Sequence, residues 1–149
     1  MIQVLPFNEV SQHMLSNFIK RNEHLLPDPL SQHVIIDDYC QKLLSLGIVF
    51  VEMDREGIQG VCMGYMNDMK TYTAHIQVLL VASDHHRQGI GKQLILHFLQ
   101  DSKSHGMKRV ELTCDRCNQK AISFYKGLHF AEAENQHSNP TKLLLNLSI

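Results

Sequence analysis

An apolar strand passes through a short polar loop into a helix at Val81-Ala82-Ser83-Asp84-His85-His86-Arg87-Gln88-Gly89-Ile90-Gly91-Lys92. Two glycines, Gly89 and Gly91, stand where the helix is predicted to begin. Glycines at this position let an anion approach the unpaired backbone N–H groups of the first helical turn, and the helix dipole also favours phosphate. The segment therefore predicts a seat for a pyrophosphate group. The alternative is an ordinary loop with a glycine-assisted helix start.

Two common phosphate-binding motifs do not fit this segment. A Walker A loop needs a glycine five residues before Gly91 and Ser or Thr after the lysine, but this chain has His86 and Gln93. A dinucleotide-binding fingerprint needs a small residue three places after Gly91, where this chain has Leu94. The segment is therefore neither a P-loop nor a Rossmann turn.

Hydrophobic periodicity on both sides of the loop predicts the order β-α-α-β-β-β-α-β-α-β-β. Strands are predicted at 2–5, 48–53, 58–66, 73–81, 109–113, 130–133 and 143–147. Val10, Met14 and Phe18 predict a first helix after an Asn8 cap. Ile35, Tyr39 and Leu43 predict a second helix, after a Ser31 cap and before Gly47. Two further helices are predicted to begin near Ile90 and near Ala121. In strand 73–81, strict alternation predicts Ala74, Ile76, Val78 and Leu80 on one face, and His75, Gln77 and Leu79 on the other.

The composition is that of a globular chain, with 149 residues of which 44% are hydrophobic and 19% charged. No repeat or linker divides it, so we expect a single domain over residues 1–149. A formal net charge of −1 lacks the basic field that non-specific nucleic-acid binding requires. No apolar run or signal peptide indicates a membrane span or secretion, and four cysteines are too few for a disulfide scaffold. We therefore expect a cytoplasmic protein.

The segment Arg87-Gln88-Gly89-Ile90-Gly91-Lys92 resembles the acyl-CoA loop of the GNAT superfamily of N-acetyltransferases. A second block, Asn118-Gln119-Lys120-Ala121-Ile122-Ser123-Phe124-Tyr125-Lys126-Gly127-Leu128-His129-Phe130, is similar to the family's Asn-x-x-Ala-x-x-x-Tyr-x-x-x-Gly-Phe pattern. The detailed match covers residues 73–133. The resemblance implies an α+β fold in three layers, with a mixed, mostly antiparallel central sheet of six or seven strands flanked by about four helices.

The resemblance also implies where acetyl-CoA binds. Strands 73–81 and 109–114 would run parallel and then splay, with the cofactor in the gap. Backbone N–H groups of Gln88, Gly89, Ile90, Gly91 and Lys92 would hold the pyrophosphate, and backbone groups of Leu79, Leu80 and Val81 would bind pantetheine and polarise the thioester carbonyl. The family usually has Gln or Arg where this chain has His86, so Arg87 is expected to supply the charge.

Two further roles follow from the second block. Asn118 would hydrogen-bond to the cofactor arm, and Tyr125 would protonate the departing CoA thiolate. A phenol with a pKa near 10 is a proton donor at neutral pH, which supports this role. The alternative is a packed tyrosine, because Tyr125 shares an apolar face with Ala121 and Leu128. His129 replaces the pattern's glycine, so the turn leaving the last helix is expected to differ.

The general base is the least defined group. Many relatives have a Glu at the position of Gln77, and an amide cannot accept the proton of the attacking amine. His75 lies two residues earlier on the same predicted strand face, and imidazole side chains ordinarily exchange protons near neutral pH, so we take it as the candidate base. A packed or hydrogen-bonded histidine is the alternative, and Glu52 and Asp68 are rival bases.

Other chemistry has weaker support in the sequence. Cys114-Asp115-Arg116-Cys117 is half a zinc site or a redox motif, but no partner pair with matching spacing exists, so structural cysteines are expected. Adjacent His85 and His86 in an extended loop point apart, which disfavours a metal site. We expect no metal.

The sequence therefore predicts an N-acetyltransferase that moves acetyl from acetyl-CoA to a primary amine, by direct transfer in a ternary complex. A small-molecule acceptor is expected, without nucleic acid or membrane partners, and a homodimer is left open. The alternative is a catalytically weak CoA-binding or regulatory module.

Overall fold

The computed structural model describes residues 1–82 and 89–149. The strands are β1 (Ile2–Val4), β2 (Ile48–Asp54), β3 (Gly57–Asp68), β4 (Thr73–Val81), β5 (Arg109–Asp115), β6 (Ala131–Glu132) and β7 (Lys142–Ser148). The helices are α1 (Glu9–Asn22), α2 (Ile36–Leu46), α3 (Ile90–Ser104) and α4 (Gln119–Gly127), with short 3-10 turns at Glu23–Leu25 and Leu30–Gln32. This order confirms the arrangement predicted from periodicity.

The described strands form one sheet in the order β1-β2-β3-β4-β5-β7-β6. Each neighbouring pair is antiparallel except β4 and β5, which run parallel. One face of the sheet packs on α1 and α2 through Leu15, Phe18 and Leu43, which we call the α1–α2 core. The other face packs on α3 and α4 through Leu94, Phe98 and Ile122, which we call the α3–α4 core. The predicted α+β fold, in three layers around a mostly antiparallel sheet, is confirmed.

Helix α1 begins as predicted but buries a different stripe. The Asn8 side chain accepts a hydrogen bond from the Ser11 N–H at 2.8 Å, which confirms the predicted cap. Val10, predicted on the apolar face, is 69% exposed, whereas Leu15 and Ile19 are fully buried with Phe18. The buried stripe is therefore rotated from the predicted one. Positions 15, 18 and 19, which are spaced i, i+3 and i+4 and so share one helix face, point toward the sheet.

Helix α2 corrects two predictions. Ser31 does not cap it, because the Ser31 N–H and hydroxyl both donate to the Glu23 carboxylate, at 3.1 and 2.6 Å. The helix starts at Ile36 and buries Cys40 and Leu43, while Ile35 is 71% exposed. Gly47 ends the helix as predicted, and its N–H donates to the Leu43 carbonyl.

Strand β4 has the predicted bounds, but its two faces exchange along its length. Val78 pairs with Met63 and Ile76 pairs with Gly64, so Gln77 is an extra residue at a β-bulge. Ala74 and Ile76 therefore lie in the α3–α4 core, whereas Val78 and Leu80 lie in the α1–α2 core. The prediction of one continuous face from Ala74 to Leu80 is wrong, because the bulge shifts the alternation by one residue.

Candidate functional site

A cleft opens between β4 and β5 because their pairing stops early. The parallel register covers only Thr73 with Arg109, Ala74 with Val110 and His75 with Glu111. Beyond these pairs the strands diverge, which confirms the splay that the resemblance implied. The gap holds a cavity of about 260 Å³. Its walls come from β4, β5, α4, the start of β7 and the loop after α1, and include Ile76, Gln77, Leu79, Thr113, Cys114, Asp115, Asn118, Tyr125 and Lys142.

The N-terminus of α3 adjoins the far end of β4. Gly89 is the N-cap, with a left-handed backbone (φ 76°) that favours glycine, and its carbonyl accepts the Gln93 N–H at 3.0 Å. The N–H groups of Ile90, Gly91 and Lys92 precede this first intrahelical bond and are available to an anion. A Cβ on Gly91 would lie 3.8 Å from Val81 and 3.6 Å from Phe124, so the turn packs against β4 and α4. The candidates Arg87 and Gln88, with His85 and His86, lie outside the described residues.

The β4 wall presents backbone to the cleft. Leu79 lines the cavity and packs on the α3–α4 core with Val81, while Leu80 is buried on the opposite face. One edge of β4 pairs with β3 along its length, but past His75 the other edge has no β5 partner in the described register. Between Ile76 and Leu80 this open edge can therefore pair with an extended ligand.

Tyr125 occupies the base of the cleft. It is 8% exposed, lines the cavity, and its ring packs at 5.2 Å from Phe124 and 5.7 Å from Phe130. Burial raises the pKa of Tyr125 far above its ordinary value, with smaller contributions from Cys62 and Cys114. The phenol is therefore neutral at physiological pH, as a proton donor must be.

Asn118 has a structural task as well as a place in the cleft. It is the N-cap of α4, and its side-chain oxygen accepts the Ala121 N–H at 3.2 Å. The same side chain lines the cavity. The cap uses the amide oxygen, which leaves the amide NH₂ group available as a hydrogen-bond donor.

The structure separates His75 from the other candidates. His75 lies at the paired end of β4, outside the residues that line the cavity. Its imidazole is 38% exposed, with Nε2 3.9 Å from Asp68 and Nδ1 3.9 Å from Glu111. Gln77 does line the cavity, and its side-chain oxygen accepts a hydrogen bond from the Tyr39 hydroxyl at 3.3 Å.

The two rival bases also lie away from the cavity. The Asp68 carboxylate accepts hydrogen bonds from Thr71 and Lys70 in the turn before β4. The hydrogen bond from the Thr71 hydroxyl is the main cause that lowers the pKa of Asp68. Glu52 binds the chain's N-terminal amino group at the β1–β2 edge. Neither carboxylate lines the cavity between β4 and β5.

A charged cluster at the mouth of the cleft escaped the sequence reasoning. His33 Nε2 lies 2.8 Å from Asp28, whose other oxygen lies 3.2 Å from Lys142 Nζ. Lys142 also lies 2.7 Å from Asp115. All four residues line the cavity. Hydrogen bonds from His33 and then Lys142 lower the pKa of Asp28. Because Asp28 and Lys142 are 114 positions apart, no local pattern could have indicated the cluster.

The cysteines do not form a metal centre in the described part of the chain. Cys40 and Cys62 are buried free thiols, Cys114 is half-buried at the cleft, and Cys117 is exposed. Burial raises the pKa of Cys114, which makes it a poor nucleophile. Within residues 1–82 and 89–149, no three His, Cys, Asp or Glu side chains are placed to hold a metal ion.

Two other features of the described residues complete the survey. A larger depression, of about 460 Å³, lies between α1 and the β2–β3 turn, lined by His13, Lys20, Arg21 and Glu56, and holds none of the candidate residues. No described helix combines the length and apolarity that crossing a bilayer requires.

Known proteins resemble this chain in sequence and in fold. N-acetyltransferase family 8 member 2 of Rattus norvegicus is 35% identical over 71 residues, which are 48% of this chain and 31% of that relative. The chain thus spans about a third of this relative's length. The ribosomal-protein-S18-alanine N-acetyltransferase of Escherichia coli matches with a TM-score of 0.76 and 16% identity, over 100% of this chain and 94% of that one.

A third relative was solved with its ligand. An aminoglycoside 6'-N-acetyltransferase complexed with coenzyme A matches with a TM-score of 0.79 and 13% identity, over 99% of this chain and 96% of that one. At such identities the likeness concerns the fold. The acetyltransferase (GNAT) family matches residues 9–130, well over half of the chain. This chain therefore belongs to the GNAT family of acetyltransferases.

Proposed function

We propose that the chain transfers acetyl from acetyl-CoA to a primary amine, by direct attack of the amine on the bound thioester. The observation that carries this proposal is the splayed cleft, which has the buried Tyr125 phenol in its wall and the N-terminus of α3 beside Val81 at the far end of β4. The family and the neighbour solved with coenzyme A support acetyl-CoA as the donor.

The described residues suit the parts of acetyl-CoA in turn. First-turn N–H groups of Ile90, Gly91 and Lys92 suit the pyrophosphate, because the helix dipole is positive there. The unpaired edge of β4 around Leu79 suits the two amides of pantetheine, which can pair as an added strand does. The thioester then lies in the gap toward β5, where Asn118 and Tyr125 line the wall.

The reaction requires that the amine and the thioester be held in position and that two protons be transferred. The amine nitrogen attacks the thioester carbon, the N–C bond forms, and the C–S bond breaks. Tyr125 donates its proton to the leaving sulfur, which prevents a thiolate from forming in a buried site, and the proton that the nitrogen loses passes to the tyrosinate as the amide forms. Holding both reactants in one cleft supplies much of the rate enhancement.

The charges at the cleft mouth favour a cationic acceptor. Two carboxylates, Asp28 and Asp115, share the single ammonium of Lys142. This imbalance leaves negative potential for a second cation, such as a protonated amine. The names of the two structural neighbours specify a protein alanine and an aminoglycoside, so the shared fold accommodates different acceptors.

Two measurements on the full chain test the proposal. Isothermal titration calorimetry with acetyl-CoA and with CoA should give one site per chain. Release of free CoA thiol should then be measured with kanamycin, spermidine, free amino acids and a peptide that begins with alanine. Turnover of one amine supports the proposal. Binding without turnover of any amine favours the alternative of a CoA-binding module, which the amide at Gln77 makes reasonable, and absence of binding contradicts both.

A further inference from the structure

A histidine that the sequence reasoning passed over lines the acceptor side of the cleft. His33 follows the short 3-10 turn at Leu30–Gln32, in the loop that joins α1 to α2. Its side chain is 58% exposed, so solvent and an incoming acceptor can reach it. It lines the same cavity as Tyr125 and Thr113.

Asp28 fixes how this imidazole is presented. His33 Nε2 lies 2.8 Å from Asp28 Oδ1. Because the carboxylate only accepts hydrogen bonds, Nε2 carries the proton, and Nδ1 of the neutral ring keeps a lone pair. Lys142 holds Asp28 Oδ2 at 3.2 Å and Asp115 Oδ1 at 2.7 Å. The imidazole is thereby anchored, through Asp28 and Lys142, to the β5 and β7 side of the cleft.

The other cavity groups are poorly suited to take up a proton. Asp28 and Asp115 are occupied by Lys142, and hydrogen bonding lowers the pKa of Asp28, which makes it a weaker base. Gln77 is an amide. Burial keeps the Tyr125 phenol and the Cys114 thiol protonated. Among the described residues that line the cavity, His33 alone carries an imidazole, because His75 lies outside the cavity.

We infer that His33, oriented by Asp28, is the proton acceptor for the attacking amine. This inference rests on the proposed acetyl transfer and names a further catalytic residue for it. His33 Nδ1 takes one proton from the ammonium of the acceptor, and the neutral amine attacks the thioester carbon. The C–S bond breaks, sulfur receives the Tyr125 proton, and the second nitrogen proton passes to the tyrosinate as the amide forms.

The proposed role of His33 makes the reaction depend on pH in one direction. Asp28 on its own loop and Asp115 on β5 are negative, Lys142 on β7 is positive, and Cys114 and Tyr125 are neutral. Once the ring is protonated it cannot accept the amine's proton. The value of kcat/KM should therefore fall as the pH drops through the range, about pH 5 to 8, in which imidazoles titrate.

The first test uses His33→Gln and a matched control, His24→Gln. His24 is exposed in the same connection, in the turn before Pro27, and lies outside the cavity. With the fastest acceptor of the amine panel, His33→Gln should lower kcat/KM about 100-fold and remove its acidic limb, with CoA affinity unchanged. His24→Gln should change neither. Added imidazole should partly restore the rate of His33→Ala.

An unchanged acidic limb in His33→Gln overturns the inference, as does its loss in His75→Gln instead. A second measurement does not need an acceptor. In ¹⁵N spectra of the histidine rings, neutral His33 should carry its proton on Nε2, and Asp28→Ala should remove this preference for one tautomer. Added CoA should perturb His33 but not His24.

A proton on Nδ1, or a tautomer preference that Asp28→Ala leaves unchanged, overturns the inference even where no acceptor is known. Failure of the proposed function has different signatures, because the native chain would then either not bind CoA in calorimetry or bind it without turning over any amine.

Discussion

The two ends of β4 carry out different tasks beside the same neighbour. At the first end, Thr73 to His75 pair in parallel with β5, and Arg109 and Glu111 pack around them. At the second end, from Ile76 onward, the strands separate and the cavity opens. The bulge at Gln77, opposite the step from Met63 to Gly64, marks the change. Three residue pairs therefore join β4 to β5, and the site forms where this pairing stops.

The junction between the two ends should be the most sensitive position. A Cβ on Gly64 would lie 2.0 Å from the His75 carbonyl oxygen, which is backbone and cannot move aside easily. Gly64→Ala should therefore destabilise the chain by about 3 kcal/mol and weaken CoA binding. Thermal unfolding should show a drop of roughly 6–12 °C in Tm.

Gly127→Ala is the matched control for this substitution. Nothing lies within 4 Å of a Cβ at Gly127, the last residue of α4. Because alanine favours helix, the variant should be unchanged or more stable by up to about 1 kcal/mol. Equal stability of the two variants would show that the junction is not strained by a side chain.

The open end should depend on the Tyr125 hydroxyl for rate and not for folding. Tyr125→Phe keeps the ring contacts with Phe124 and Phe130 but removes the proton donor. The expected result is a fall in kcat of about 100-fold, with CoA affinity nearly unchanged. Tyr72→Phe, at an exposed position before β4, is the control and should leave kcat unchanged.

The raised pKa of Tyr125 also predicts the alkaline behaviour. A phenol whose pKa lies above its ordinary value of about 10 stays protonated as the pH rises, so the donor is retained. We expect no loss of kcat from this group between about pH 8 and 10. A decline in that interval that Tyr125→Phe abolishes would contradict a buried neutral phenol.

Features that are local in sequence could be predicted, and features that arise from folding could not. The glycine turn, the Asn118 block and the order of elements predicted the fold, which the structure confirms, and the donor side of the cleft, which stays a prediction. Both depend on patterns local in sequence. The charged cluster at the mouth of the cleft was missed, because Lys142 reaches Asp28 and its neighbour His33 only through folding. The bulge at Gln77 was also missed, because side-chain alternation gives no sign of one inserted residue.

Asn118 tests whether the cap and the cleft can be separated. Asn118→Ala removes the bond to the Ala121 N–H and should cost about 1 kcal/mol of stability. Asn118→Asp keeps a capping oxygen and should unfold like the native chain, but it replaces the amide donor with a negative group. Weaker CoA binding in Asn118→Asp alone assigns the amide to the ligand, whereas native affinity limits Asn118 to capping.

The smallest effect is expected at Lys142, on the mouth of the open end. Lys142→Met keeps the aliphatic stem but removes the ammonium group that bridges the Asp28 and Asp115 carboxylates. The KM for the acceptor should rise by a few fold, with CoA affinity unchanged, because the loop that carries His33 loses its anchor. Lys120→Met, on the exposed side of α4, is the control. A change in CoA affinity instead would move Lys142 to the donor side.

A crystal structure of the full chain grown with CoA tests the central claim most directly. We expect the pantetheine arm to run between residues 76–81 and 112–115, with the diphosphate on the N–H groups of Ile90, Gly91 and Lys92 and the sulfur near the Tyr125 hydroxyl. A ligand bound outside the gap, or a β4–β5 pairing that continues past His75 and closes it, would contradict the account.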